Sequence, residues 1–240
     1  MIDAFVKAFA QLPDRRIRSV VILGLIAALV VYVLLAVGLA WALSSTAVVS
    51  LPWVDALVDV LGGVAVFVLS LLFFPALTTV VIGFFLEQVA DAVEDRHYPG
   101  LPPNREQPLA EVLGTTVKFA AITVGLNLVA LPLYLFLMLV PPMSLVLFYA
   151  LNGYLLSREY FEVVALRRAD PATVRTLRKR HMGRLWLVGA IITFLSTVPF
   201  VNIVAAVVGT AAMTHVTTRL MRRHDLLPDT GAGLAGAGRR

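Results

Sequence analysis

Four long stretches of this sequence contain no Asp, Glu, Lys, Arg or His: residues 19–43, 60–86, 119–157 and 185–214. A helix needs about 20 consecutive apolar residues to cross a bilayer. Each stretch is long enough, and a soluble domain has no use for such runs. The chain is 59% hydrophobic and only 15% charged, against roughly half and a quarter in soluble proteins. This is the pattern of an all-α integral membrane protein. The first run has 25 residues and follows four basic side chains. It is longer than the roughly 7–15 residues of a signal-peptide core, so it is read as a retained span.

The charges predict how the stretches connect. All Lys and Arg fall in four segments: Lys7, Arg15, Arg16 and Arg18; Arg96, Arg105 and Lys118; eight between 158 and 184; and five from Arg219 onward. The connections between them carry no basic residue. Basic loops stay in the cytoplasm, so all four segments are expected on that side, with both termini there. Stretches one and two then make an outward and a returning span. Stretches three and four each start and end on the same side, so each is expected to be a hairpin.

Proline supports that reading. LMLVPPMSLVLF (137–148) and TVPFVNI (197–203) both place Val-Pro between apolar arms. Proline removes a donor and pushes the preceding residue out of the α region. With turns there, the arms are 119–140, 143–157, 185–198 and 202–218. At about 1.5 Å per residue, the last three are too short to cross a core about 30 Å thick. The fold expected is therefore two long transmembrane helices plus two re-entrant helical hairpins, with amphipathic cytoplasmic helices. A kinked full span at either site is the competing reading. Re-entrant backbone has to be buried in protein or face water, which implies a packed homo-oligomer with a polar interior. Residues 1–221 form a single membrane domain, and 222–240, ending in a Gly-rich run, form a disordered tail.

Between the spans, the helix entered at Glu87 breaks at YPGLPP (98–103) and restarts near Pro108. Asp170 before Pro171 is a helix N-cap signal.

Catalytic signatures are missing: the sequence has no HExxH, GxSxG, Walker loop or GxGxxG, and no enzyme activity is expected. No cysteine is present. The four histidines lack ligand spacing in sequence, so neither a metal nor a cofactor is expected. The net charge of +5 fits topology signals and contacts with anionic lipid better than nucleic acid. Three polar features remain. Arg15, Arg16 and Arg18 are either an anion-gathering cluster or a positive-inside anchor. Thr78, Thr79, Asn127, Asn152, Thr193, Ser196, Thr197 and Asn202 either line a pore or bond neighbouring helices, with Asn202 placed to cap a turn. Glu87 and Arg158 stand at the edges of apolar runs, either as an ion pair or as separate interfacial charges.

The order and spacing of several blocks resemble the CysZ family of bacterial inner-membrane sulfate permeases, whose relatives include the etoposide-induced membrane proteins. The blocks are FVKAFAQLPDRRIRSVVILGLI, FFPALTTVVIGFFLEQVADAVE, VPPMSLVLFYALNGYLLSREYFE and RLWLVGAIITFLSTVPFVNIVAAVVGTAAMT. Together they run over residues 2–221. The resemblance implies two long helices, two half-penetrating hairpins, an oligomer, and sulfate entry for cysteine synthesis without ATP hydrolysis. It also implies anion binding at Arg15 and Arg16, because PDRR aligns with the family's Gly-Leu-Arg segment. Here the Gly-Leu is missing and Asp14 stands beside the arginines, which predicts that a carboxylate competes for them. The family's Asp-Tyr-Pro element is replaced by EYFEVV (159–164). The expected function is a permease or channel for sulfate or a related oxyanion in the bacterial inner membrane. The alternative is a membrane scaffold with no transported substrate.

Overall fold

A computed structural model describes residues 2–44, 81–83, 85–198 and 201–228. Among them are eight helices of ten residues or more and no strand. They are α1 (Ile2–Gln11), α2 (Arg15–Ser44), α3 (Leu86–His97), α4 (Leu109–Leu137), α5 (Pro141–Ala165), α6 (Pro171–Arg180), α7 (Met182–Thr197) and α8 (Val201–Arg222). Most of the expected second span, with Thr78 and Thr79, lies outside the described residues, as do the two residues before α8.

The core is built around α8. Every residue from Ala205 to Thr218 is buried. Its run of Ala, Val, Gly and Thr has small side chains, so neighbouring backbones approach closely. Helices α1, α3, α5 and α7 pack on it. The amphipathic α1 contributes Ala4, Phe5, Ala8 and Gln11 at helical spacing. From α3 come Val89, Ala90 and Val93. The tightest crossing joins α5 and α7, where Gly153 and Gly189 face each other backbone to backbone. Gly209 of α8 sits against Ile192 of α7.

Two long helices stand away from this core. Helix α2 is seated at its base by Ile17 and Val20, then runs out with apolar side chains bare; Trp41 is 73% exposed. In α4 Ala130 is the buried residue, while Leu128 and Val129 are 63% and 75% exposed. Helices apolar on all sides belong in lipid or against a partner. By length and composition α2, α4 and α8 are each able to cross a membrane. The protein is an all-helical, multi-pass membrane protein.

The four basic segments meet at one end of the molecule. Arg16 binds Asp95 at 2.5 Å and Arg96 binds Asp14 at 2.8 Å, joining the N-terminus to the 87–118 segment. Arg167 pairs with Asp91, joining that segment to 158–184. Arg219 pairs with Asp3, joining the last helix to the first. Segments held in direct ion pairs lie on the same side of any membrane, as the charge pattern predicts.

Both apolar stretches fold back on themselves. The α4–α5 chain turns at residues 138–140, and the Arg158 guanidinium returns to lie 5.6 Å from the centre of the Phe119 ring. The α7–α8 chain leaves helical geometry at Val198, and its open end closes where His181 meets His224, 2.9 Å between Nε2 atoms. Pro141 and Pro142 are not the turn itself; they are the first residues of α5, where a missing N–H costs nothing.

The arms are longer than the uncharged runs suggest. Helix α5 continues through Arg158 to Ala165, giving about 37 Å where the 143–157 arm predicts about 22 Å. Helix α8 likewise spans about 33 Å and α7 about 24 Å by the same rise. A charge at the edge of an apolar run does not end a helix, and Arg, Glu and Leu are all good helix formers. The tail also begins later than residue 222. Residues 223–228 follow α8 as turns, the Leu226 amide donates to the Met221 carbonyl, and Leu227 is buried.

Candidate functional site

The corner between α1 and α2 places the first arginines. Asp14 precedes α2, and its Oδ1 accepts from the Arg16 amide at 3.0 Å. That is an N-cap, since the first amides of a helix have no partner within it. Its Oδ2 accepts from Arg96 at 2.8 Å. The amide bond, then Arg96, hold the Asp14 carboxyl below its ordinary value. The expected competition is therefore resolved differently: Asp14 is occupied by Arg96 and its own helix, not by Arg15. Arg16 is bound to Asp95. Arg15 and Arg18 are exposed and make no ion pair among the described residues.

A second basic site lies where the first hairpin closes. A cleft of about 210 Å³ runs between α4, α5 and α6. Lys118, Arg158, Arg175 and Arg178 line it, with Glu111 and Glu162. Asp170 positions α6 by accepting from the amides of Ala172 and Thr173, as its place before Pro171 predicts. Arg158 is 2% exposed. Its Nε donates to Glu162 at 2.8 Å, while its Nη1 is buried with no hydrogen-bond partner. Arg105 pairs with Glu111 through both terminal nitrogens and also donates to the Leu166 carbonyl. Arg105 thus joins α4 to the end of α5.

The expected Glu87–Arg158 pair does not form. Glu87 is exposed, with only its backbone carbonyl accepting, from Arg167 at 3.4 Å. Arg158 finds its carboxylate four residues along its own helix instead, the most accessible spacing for a helical ion pair. The uncharged polar residues also bond locally. Asn127 donates to Thr123, Asn152 to Phe148, Thr193 to Gly189 and Ser196 to Ile192, each to a carbonyl four residues back. That satisfies them without a partner helix. Thr197 alone of these bonds another helix, 3.2 Å from the Tyr149 hydroxyl. Asn202 does not cap the turn; its Oδ1 is buried without a partner.

Two clusters are invisible at the level of sequence spacing. Arg167, 3% exposed, pairs with Asp91 and, at 3.2 Å, with Glu94; Arg168 reaches the same Glu94 at 2.5 Å. The only sequence signal is an acidic helix face at 87–95 and an Arg pair at 167–168. The histidines are not scattered in space: His97 packs edge-on against His215 at 4.8 Å, and the Tyr98 hydroxyl meets His215 Nδ1 at 2.8 Å. Burial pushes His97 below its ordinary value. Among the described residues, no group of three or more His, Cys, Asp or Glu is placed to hold a metal ion.

A family model described as sulfate transporter CysZ/etoposide-induced protein 2.4 matches residues 4–206. The chain belongs to that family. A search of curated proteins finds no match. The CysZ/etoposide-induced family is a transporter-type family and not an enzyme family, and the match takes in seven of the eight helices whole and the start of α8. It includes both arginine-bearing sites, the α1–α2 corner and the hairpin cleft.

Proposed function

We propose that this protein is a permease or channel that passes sulfate or a related oxyanion through the bacterial inner membrane, with both termini cytoplasmic. It acts without nucleotide hydrolysis and supplies sulfur assimilation. The observation that carries this reading is the state of the α1–α2 corner in a chain of the CysZ family. Asp14 is engaged by Arg96 and the α2 amides, so Arg15 and Arg18 remain unneutralised at a helix N-terminus. Guanidinium groups and a helix N-terminus both favour an oxyanion. Arg16, tied to Asp95, keeps the corner in place.

In this reading the two hairpins enter the membrane from the cytoplasmic side, and copies of the chain assemble so that the bare faces of α2 and α4 are covered by lipid or by one another. The polar pathway then lies between copies, because Asn127, Asn152 and most of the hydroxyls are satisfied within their own helices.

Uptake of radiolabelled sulfate into proteoliposomes tests it. Uptake above empty vesicles, reduced by Arg15→Gln with Arg18→Gln while insertion stays normal, is the expected result. Correctly inserted protein that moves no sulfate refutes the permease and leaves the scaffold reading.

A further inference from the structure

The cleft that closes the first hairpin has a chemistry of its own. Three arginines and a lysine face two carboxylates there, and the carboxylates are already committed. Glu111 is held through both oxygens by Arg105, outside the cleft's lining set. Glu162 takes Arg158 Nε at 2.8 Å and stands 3.7 Å from Arg178 Nε. Lys118 and Arg175 make no ion pair among the described residues. Arg158, almost fully buried, keeps Nη1 without a partner, and Arg178 Nε is likewise unsatisfied by hydrogen bonding. A buried guanidinium with an empty donor lacks part of its natural complement. The volume of about 210 Å³ is several times the roughly 30 Å³ share of a water.

We propose that this cleft is a second oxyanion-binding site, which takes a tetrahedral anion, sulfate or the phosphate of a lipid headgroup, between Arg158, Arg178, Lys118 and Arg175. It deepens the permease reading by adding a site to it, but binding here is measured without transport. The anion bridges elements that otherwise touch little: Lys118 belongs to the bare arm α4, Arg158 to α5 and Arg175 and Arg178 to α6. Occupancy therefore fastens the start of α4 to the core. The site stands apart from the α1–α2 corner, on different helices.

Hydrogen exchange on the full chain in nanodiscs reads this directly. In phosphatidylcholine discs, sodium sulfate at an ionic strength matched with sodium chloride is expected to slow exchange across residues 109–118 and 171–178 by about tenfold. Lys118→Gln with Arg175→Gln, both on the exposed rim, should abolish that protection without disturbing the fold. Arg15→Gln with Arg18→Gln should leave it intact. Arg158→Gln should abolish it as well, but the rim pair decides the matter if that buried change prevents folding. Protection that appears only when phosphatidylglycerol replaces phosphatidylcholine, and that the rim pair removes, keeps the site and makes its occupant the headgroup. No protection with either anion source, or protection indifferent to the rim pair, overturns the proposal. Sulfate uptake that survives such a result leaves the permease reading standing. Protection in a protein that moves no sulfate does the reverse.

Discussion

The closest approach in the molecule sets the sharpest test of the fold. A Cβ built on Gly189 falls 2.6 Å from the Ser157 amide nitrogen and 2.7 Å from Ser157 Cβ, and closer still to the Gly153 carbonyl oxygen. Ordinary contact begins near 3.4 Å, so Gly189→Ala requires α5 and α7 to part by about 0.7 Å or more on the Ser157 side alone. The obstructing atoms are mainly backbone, so no rotamer change relieves the clash. A gap of 0.5–1 Å forfeits roughly a quarter to a half of the dispersion well of each atom pair it opens. The pairs at risk involve Val188 and Ile192 of α7 and Leu155 and Phe161 of α5, all buried. Overpacked cores lose about 1–3 kcal/mol, and this site belongs at the upper limit, about 3 kcal/mol. On the soluble-domain scale that lowers Tm by roughly 6–12 °C. The assay is thermal unfolding of the purified protein in detergent, monitored by loss of the monodisperse peak on size exclusion. Gly125→Ala is the control: its Cβ meets nothing within 4 Å, and a helix-interior Gly→Ala gains up to about 1 kcal/mol. If Gly189→Ala melts together with wild type while the Gly125 control behaves as expected, α5 and α7 do not cross where they are placed here.

Two further perturbations probe the charged end. Arg167→Ala leaves Glu94, 5% exposed, with Arg168 alone, and should destabilise by about 3 kcal/mol, near the lower limit for a broken buried pair; adding Glu94→Gln should recover part of that in chemical denaturation, and no recovery would mean the cost lies in packing and not in charge. The His181–His224 contact requires at least one neutral ring, and burial, then the charge of His224, pull His181 below 6.5. A depressed folded-state value means fewer protons are bound in the folded protein, so this stability is present above about pH 6.5 and lost as the pH falls below it. His181→Gln should flatten the fall in Tm between pH 7.5 and 5.5 but not remove it, because His97 moves the same way; an unchanged slope would show that the pair does not titrate as a unit.

What the sequence discloses here follows from the range of each interaction. The chain breaks at Val-Pro are local consequences of a missing donor and a steric clash, and both are legible in 137–148 and 197–203. The N-cap at Asp170 is legible for the same reason. Helix ends were misplaced wherever charge was taken as a boundary, because solvation decides where a side chain sits and not whether its backbone stays helical; α5 runs seven residues past Arg158 on that account. The Arg158–Glu162 pair was available from its four-residue spacing. Arg167 with Asp91 and His97 with His215 were not, since they depend on how α3, α5 and α8 cross, and crossing geometry is set by glycines whose importance only the packed helices reveal. The polar side chains of the apolar runs were overread. An Asn or Thr in a helix has a carbonyl within reach four residues back, so its presence in an apolar stretch does not by itself call for a pore or a partner helix.

The distribution of ion pairs explains why two helices are able to stand bare. Every ion pair among the described residues joins members of the four basic segments or their acidic neighbours, from Lys7–Asp3 to Arg219–Asp3. Helix α2 is anchored through Asp14 and Arg16, and α4 through Glu111, all at their first residues. Beyond those anchors neither arm carries a charge that would have to be neutralised in hydrocarbon, so lipid alone solvates them at no electrostatic cost. The same division leaves an anion no charged partner along the arms and concentrates Arg15, Arg18 and the cleft cations at one end. An oxyanion that reaches this protein from that end meets its cations before it meets the apolar region, which is the order a permeation path requires: capture first, then desolvation between copies whose bare faces exclude water.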